Sequence, residues 1–266
     1  MNQPLHFPWL PVLCAACLVG FAPNEKARAA TPTPRIQLCP EAPRPAPEGF
    51  TDLRQAISSL RFDIRYHTAD NFTDAPLDGY GAPGAWLLDV PAKALGRVQR
   101  ALARQGLGLV IFDAYRPRRG TDAMVAWAER TNQTSLLDGG YVARRSRHNH
   151  GTTVDLGLVK LATGERLAMG TDFDTLTPAS HTRAAKGEAL RHRLLLKEAM
   201  EKEGFRAYFR EWWHFQFDVP GSRPRDIPYG RCEADERAEF RIQETGSHPK
   251  KSEKNPADIG VRRIRP

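Results

Sequence analysis

Apolar and polar positions recur along this chain on two different periods, and the periods mark out its elements. Over residues 91–105, Pro-Ala-Lys-Ala-Leu-Gly-Arg-Val-Gln-Arg-Ala-Leu-Ala-Arg-Gln, apolar side chains return every three or four positions, which predicts an amphipathic helix. Pro91 suits its first turn and Gly106 suits the position after its end. Leu107 to Phe112 is an unbroken apolar run, the pattern of a buried strand. Helical spacing returns over 121–130 and again over 181–203, where it stops before Gly204. Residues 51–66 predict a short turn or helix followed by an alternating strand, and His148 to Val159 alternates as another strand. In a final strand, Phe215, Phe217 and Val219 fall on one side while His214, Gln216 and Asp218 fall on the other. Helices interspersed with strands, and no internal repeat, predict a single α+β domain beginning near Phe50.

The two ends read differently. Residues 7–22 are apolar, and Ala27-Arg28-Ala29 supplies small residues at the −3 and −1 positions before Ala30. Residues 1–29 therefore read as a secretory signal peptide, although no Lys or Arg precedes the apolar run. The run is short and broken by Pro11, so no stable membrane insertion is expected after cleavage. Export to the periplasm or the cell exterior is the expectation. Cys14-Ala15-Ala16-Cys17 is a poor match to a lipid-attachment signal. Residues 31–48 contain six prolines, so 30–49 reads as an extended arm. The domain is expected over 50–220. Residues 221–266 are expected to form a polar, basic and partly disordered extension.

Composition narrows the classes. A chain of 266 residues with 41% hydrophobic residues can bury a real core. The formal charge is +8, and loss of residues 1–29 removes two cations and one anion, leaving about +7. The basic residues are scattered rather than striped, so no nucleic-acid partner is expected. A local excess lies at 246–266, six Lys/Arg against two acids, and reads as a solvated tail. Cys39 and Cys232 remain after signal removal. An oxidising compartment would permit a disulfide between them, and the sequence leaves open whether they pair.

The candidate chemistry lies in two segments, Ser146-Arg147-His148-Asn149-His150-Gly151-Thr152-Thr153-Val154-Asp155 and Glu211-Trp212-Trp213-His214. A hydrolytic zinc site needs three protein ligands, an open position and a base beside it. Gly151 between His148 and Asp155 suggests a turn entering a strand, which lets both side chains reach one ion. Glu211 and His214 are three apart and would face opposite sides of an ideal strand. Glu211 must then sit on a loop or bulge leading into the strand. The two tryptophans would exclude water around it and raise its pKa. Arg116, in Phe112-Asp113-Ala114-Tyr115-Arg116-Pro117, follows a buried strand and can aim a guanidinium at an oxyanion. Each segment alone also fits a plainer reading: a surface histidine, a turn-capping Asp, a core aromatic cluster, a surface arginine.

Taken together, Ser-x-His-x-x-Gly-x-x-x-Asp followed by Glu-x-x-His resembles the zinc D-alanyl-D-alanine dipeptidases, within a wider group of zinc D-Ala-D-Ala peptidases of hedgehog-like fold. Tyr66–Thr73, Asp113–Pro117 and Met169–Asp174 resemble segments of the same family in the same order, so the likeness spans about 50–220. It implies a mostly antiparallel central sheet with flanking helices, and one zinc ion per chain on His148, Asp155 and His214. It implies Glu211 as general base and Arg116 as stabiliser of the tetrahedral intermediate. It implies that Ser146 and Asp174 contact the termini of a small dipeptide, Asp174 facing the ammonium, and that Tyr66 lines the same pocket. A carboxypeptidase or endopeptidase acting on peptidoglycan stem peptides, and a zinc-binding module without turnover, stay open. The oligomeric state is not legible.

Overall fold

The computed structural model describes residues 43–230. The signal segment, most of the proline-rich arm, Cys39, Cys232 and the basic tail lie outside the described residues. The chain forms β1 (Phe50–Asp52), α1 (Leu53–Ala56), β2 (Arg61–Phe62), β3 (Trp86–Leu88), α2 (Asp89–Ala103), β4 (Leu107–Asp113), α3 (Arg118–Arg130), α4 (Ser135–Asp138), β5 (Thr153–Lys160), α5 (Gly187–Lys202), β6 (Phe205–Ala207) and β7 (His214–Phe217). Five strands make the central sheet in the order β2-β4-β5-β7-β6. β2 pairs with β4 in parallel, and the other three pairings are antiparallel. β1 and β3 form a separate antiparallel pair. The architecture is the mixed α+β domain that the sequence pattern predicts, with the mostly antiparallel sheet that the family resemblance implies. Among the described residues no helix is long and apolar enough to cross a membrane.

Burial explains the sheet order. β4 carries Leu109, Val110, Ile111 and Phe112, and β5 carries Val154, Leu156, Leu158 and Val159, all buried. Strands apolar on both faces belong in the middle of a sheet. α2 contributes Leu95, Val98 and Leu102 to the core, and α5 contributes Leu196 and Met200. Each such side chain stabilises the fold by roughly 1.5–3 kcal/mol. That apolar frame offsets the cost of holding Asp113 and Asp155, 1% and 2% exposed, within it.

Several element boundaries differ from the sequence pattern, and the strand expected within 51–66 shortens to Arg61–Phe62, with Arg65–His67 a 3-10 turn. α3 starts at Arg118, directly after Pro117, so the proline rather than the apolar period sets its start. α5 starts at Gly187, not at 181, because residues 181–184 close a separate turn, with the Ala184 N–H donating to the His181 carbonyl at 2.8 Å, and Lys186 is extended. His148 is not on a strand. Residues Arg147–His150 form a 3-10 turn, Gly151 ends it at φ 70°, and β5 begins at Thr153. His148 and His150 therefore do not share one face of an extended segment, and His150 Nδ1 lies 3.2 Å from Ser222 Oγ.

Packing does not stop at residue 220. Tyr229 is fully buried, with its ring 4.3 Å from that of Trp86, and its hydroxyl donates to the Tyr115 carbonyl at 2.5 Å. Arg225 N–H donates to the Asn149 carbonyl at 2.8 Å, tying this return to the His148 turn. The last residues of the arm also pack, since Arg44 N–H donates to the Tyr229 carbonyl at 2.8 Å.

Gly151 has two reasons to be glycine: its positive φ, and a position where a Cβ would lie 2.3 Å from Phe50 Cε1. Gly151→Ala should cost at least about 2 kcal/mol, read as a Tm lower by roughly 4–8 °C in calorimetry. An unchanged Tm would mean that Phe50 yields freely.

Candidate metal centre

Sheet register assembles the site. Asp113 on β4 stands opposite Asp155 on β5, and Asp155 stands opposite His214 on β7. Directly paired residues of antiparallel strands project to one face, their Cβ atoms about 4.5–5.5 Å apart. Three polar side chains thus form one row across three adjacent strands. A register shift between Ile111 and Asp113 re-aims the end of β4. His148 reaches the same row from the 3-10 turn, where Ser146 Oγ accepts from the His148 N–H at 3.2 Å and caps the turn.

His148, Asp155 and His214 are the one group of metal-ligating residues detected among the described residues. His148 Nε2 lies 3.3 Å from Asp155 Oδ2 and 3.4 Å from His214 Nδ1. His214 Nδ1 lies 3.0 Å from Asp155 Oδ1, which is buried and lacks a hydrogen-bond donor. Tetrahedral zinc with bonds of about 2.0–2.1 Å sets ligand atoms roughly 3.3–3.4 Å apart. The two imidazole nitrogens stand 3.4 Å apart, at that spacing, each lies within 3.3 Å of one of the two Asp155 oxygens, and the nitrogen and carboxylate donors suit zinc. The outer ring nitrogens are engaged elsewhere. His148 Nδ1 faces the Ala114 carbonyl at 2.6 Å, which leaves Nε2 as the atom turned to the cluster, and His214 Nε2 lies 3.1 Å from the Gln216 side-chain nitrogen.

The charge state suits a cation too. Burial alone would raise the Asp155 carboxyl, but His148 and His214 hold it well below the usual carboxylate range. Burial lowers His214, outweighing the pull of Asp155, so its ring stays neutral at higher acidity. A deprotonated carboxylate and a neutral imidazole are the forms in which these groups bind metal.

Glu211 lies on the turn before β7, as the three-residue spacing requires. Its N–H donates to the Tyr208 carbonyl, and its own carbonyl accepts from the His214 N–H at 3.2 Å. Glu211 is 6% exposed, and its Oε2 lies 3.6 Å from His214 Nδ1. Burial, then the nearby Asp155 and Asp174 carboxylates, raise its pKa well above the ordinary value, against the opposing pull of Arg116. A carboxylate so placed takes up a proton readily.

Arg116 is 8% exposed and held from several sides. Its Nε and Nη2 contact Asp113 Oδ2 at 3.0 and 2.9 Å, and Nη2 lies 3.8 Å from Asp155 Oδ2. Its guanidinium sits 4.9 Å from the centre of the Tyr66 ring. Burial works against its charge, but Asp113 and its other anionic neighbours more than compensate, so it stays cationic. Asp113 joins the site without a role that its sequence context reveals. Its Oδ1 accepts from Tyr80 OH at 2.5 Å, and its Oδ2 lies 3.3 Å from His148 Nδ1 as well as against Arg116. It touches both the oxyanion candidate and a metal ligand. The available signal was its place at the end of a buried strand, three residues before Arg116.

Tyr66 and Asp174 meet at the other part of the cavity, where Tyr66 OH donates to Asp174 Oδ1 at 3.0 Å. Asp174 takes φ 60°, and its Oδ2 is buried without a partner. Its segment is irregular and is held by Arg193 of α5, which donates to the carbonyls of Met169, Ala179 and His181 at 2.6, 3.0 and 2.7 Å. All eight residues singled out from the sequence line one cavity of about 300 Å³. That volume sits at the small end of ligand pockets.

Two imidazoles and a carboxylate grouped to hold one metal ion, with a buried acid and a buried guanidinium beside them, are the parts of a hydrolytic metal site. Residues 46–227 match the peptidase family described as D-ala-D-ala dipeptidase, and the chain belongs to that family. It is 36% identical to the D-alanyl-D-alanine dipeptidase of Enterococcus faecium, over 68% of this chain and 94% of that one. It is 37% identical to that of Streptomyces coelicolor, over 62% and 90%. The corresponding values for the Escherichia coli protein are 33%, 66% and 88%.

Two outcomes follow from the electrostatics. The folded state holds the Glu211 proton more tightly than the unfolded chain does, so metal-free protein loses stability as pH rises above the unfolded value of 4.5. Metal-free Glu211→Gln should therefore be more stable than wild type at pH 7–8, with the gap closing toward pH 4, as read by urea midpoints. A gap independent of pH would contradict the raised pKa. Asp113→Asn should weaken zinc affinity by about 10–100-fold in a chelator competition. Undiminished affinity would leave the Ala114 carbonyl as the sole support of His148.

Proposed function

We propose that this protein is a zinc-dependent dipeptidase that hydrolyses D-alanyl-D-alanine to two D-alanines in cell-wall peptide metabolism. The observation that carries this reading is the cluster of His148, Asp155 and His214 with the buried Glu211 carboxylate 3.6 Å from His214, in a family of D-Ala-D-Ala dipeptidases. His148 Nε2, one oxygen of Asp155 and His214 Nδ1 would hold the zinc. Bound zinc supplies Lewis-acid polarisation of the scissile carbonyl and acidifies a water. Glu211 would take a proton from the attacking water and return it to the amine as the C–N bond breaks. Arg116, kept cationic and aimed by Asp113, would stabilise negative charge developing on the carbonyl oxygen.

The same cavity orients the substrate in this reading. Asp174, with one oxygen on Tyr66 and the other unpartnered, would take the free ammonium. Ser146 would meet the opposite terminus. A dipeptide satisfies Asp174, while a substrate without that ammonium leaves a buried carboxylate unpaired, and such losses discriminate strongly. The apolar N-terminal segment supports export before the protein acts.

The test is D-alanine release from D-Ala-D-Ala. Wild type should hydrolyse it, lose activity to a chelator and regain it with zinc. Glu211→Ala should lower kcat by about 10²–10⁴-fold. Absence of zinc-dependent hydrolysis would refute the reading and favour a binding module. Preferential cleavage of a longer stem peptide would move it to a carboxypeptidase.

A further inference from the structure

Asp174 lines two spaces, the site cavity and a neighbouring recess. The second of these, about 390 Å³, is open to the surface and lined by Arg65, Asp70, Asn71, Asp74, Asp172 and Phe173 among others. Two described residues line both spaces, Phe72 and Asp174. They are the wall between the inner cavity and the outer recess.

The Phe72 half of that wall is braced. Its ring meets Trp127 edge-on at 5.0 Å and Tyr66 at 6.3 Å. Its loop is stitched by the neighbouring Asn71. The Asn71 side-chain amide donates to the carbonyls of Thr68 and Ala75 at 2.7 and 2.9 Å, and its oxygen accepts from Thr73 N–H and Thr73 OH at 2.9 and 2.7 Å. The ring is therefore a fixed plug rather than a flap.

We propose that Phe72 restricts the site to free dipeptides by filling the passage between the cavity and the outer recess. The inference rests on Asp174 being the partner of the substrate ammonium. A peptide extended at that nitrogen must continue past Asp174, into the space that the Phe72 ring occupies. Two separate penalties then oppose a longer substrate: collision with Phe72, and loss of the charge partner of Asp174. Removal of the ring lifts only the first. The outer recess then receives the added residue, and although Arg65 on its lining pairs with Asp70 at 3.1 Å, Asp74 and Asp172 favour an extension that itself ends in an ammonium. The chemistry is unchanged, since the same D-Ala–D-Ala amide is cleaved and one D-alanine is released.

The experiment compares kcat/KM for D-Ala-D-Ala and for the tripeptide L-Ala-D-Ala-D-Ala in zinc-loaded wild type, Phe72→Ala and Phe72→Leu, with zinc affinity measured alongside. Wild type should favour the dipeptide strongly. Phe72→Ala should raise the tripeptide-to-dipeptide ratio by about tenfold or more at unchanged zinc affinity, with Phe72→Leu between the two. A loss of folded enzyme lowers both rates together and leaves the ratio alone. If Phe72→Ala does not fold, the Phe72→Leu ratio decides. A ratio unchanged in enzymes that still cleave the dipeptide would overturn the role of Phe72 and leave the dipeptidase reading standing. A wild type that cleaves both peptides equally well would also overturn it. Inactivity of wild type toward both would refute the dipeptidase reading, and this inference with it.

Discussion

The row formed by Asp113, Asp155 and His214 is the constraint on which the rest of the site depends. Each residue belongs to a different strand, and antiparallel pairing alone sets them side by side. Side chains alternate along a strand, so a slip of one residue in β5 would turn Asp155 into the opposite layer and bring Val154 or Leu156 to the row. The apolar residues flanking Asp155 oppose that slip, because it would exchange their environment for that of the carboxylate. The hydrophobic pattern of β5 thus does more than make a core. It indexes the metal ligand.

Around this row the protein concentrates charge that its own fold would not choose. Asp113, Asp155, Asp174 and Glu211 approach one another around the guanidinium of Arg116. Asp155 remains anionic because two imidazoles face it, while Glu211 and Asp174 are pushed toward their neutral forms. Bringing in a divalent cation relieves that imbalance. Sites built for chemistry commonly carry such strain, and packed apolar layers elsewhere supply the stability that permits it. Arg193 shows how far this support extends. Its buried guanidinium satisfies three carbonyls of a segment that makes no strand or α-helix, and so fixes the backbone that bears Asp174.

The ligands and the base were legible because their chemistry is written locally. A histidine, a glycine and an aspartate over eight positions, and a glutamate three before a histidine, can each be read without knowing the fold. The same spacing forced Glu211 off the strand, and it lies on a turn. His148 was read onto a strand because the alternation that begins at Thr153 runs back through it by chance. The Ser146 cap and the positive φ of Gly151 make a turn there instead. Asp113 carried no role in the sequence because its partners are distant: Tyr80 lies 33 residues away, and His148 lies on the turn before β5. The return of the chain past residue 220 was hidden for a related reason. Its composition is polar, and the one side chain that anchors it, Tyr229, finds its partners Trp86 and Tyr115 far back in the sequence.

That return has a consequence for how the molecule comes into being. Arg225 hydrogen-bonds the turn that carries His148, and Tyr229 closes over the aromatic residues beneath the start of the domain. The first ligand is synthesised well before the last, and the clasp that steadies it comes later still. A nascent chain therefore cannot present a finished ion-binding site before His214 and the return have been made. Long-range closure is slow relative to local structure. The centre depends on pairings between segments far apart in sequence, and an ion that arrives before they form meets separate side chains rather than a cage.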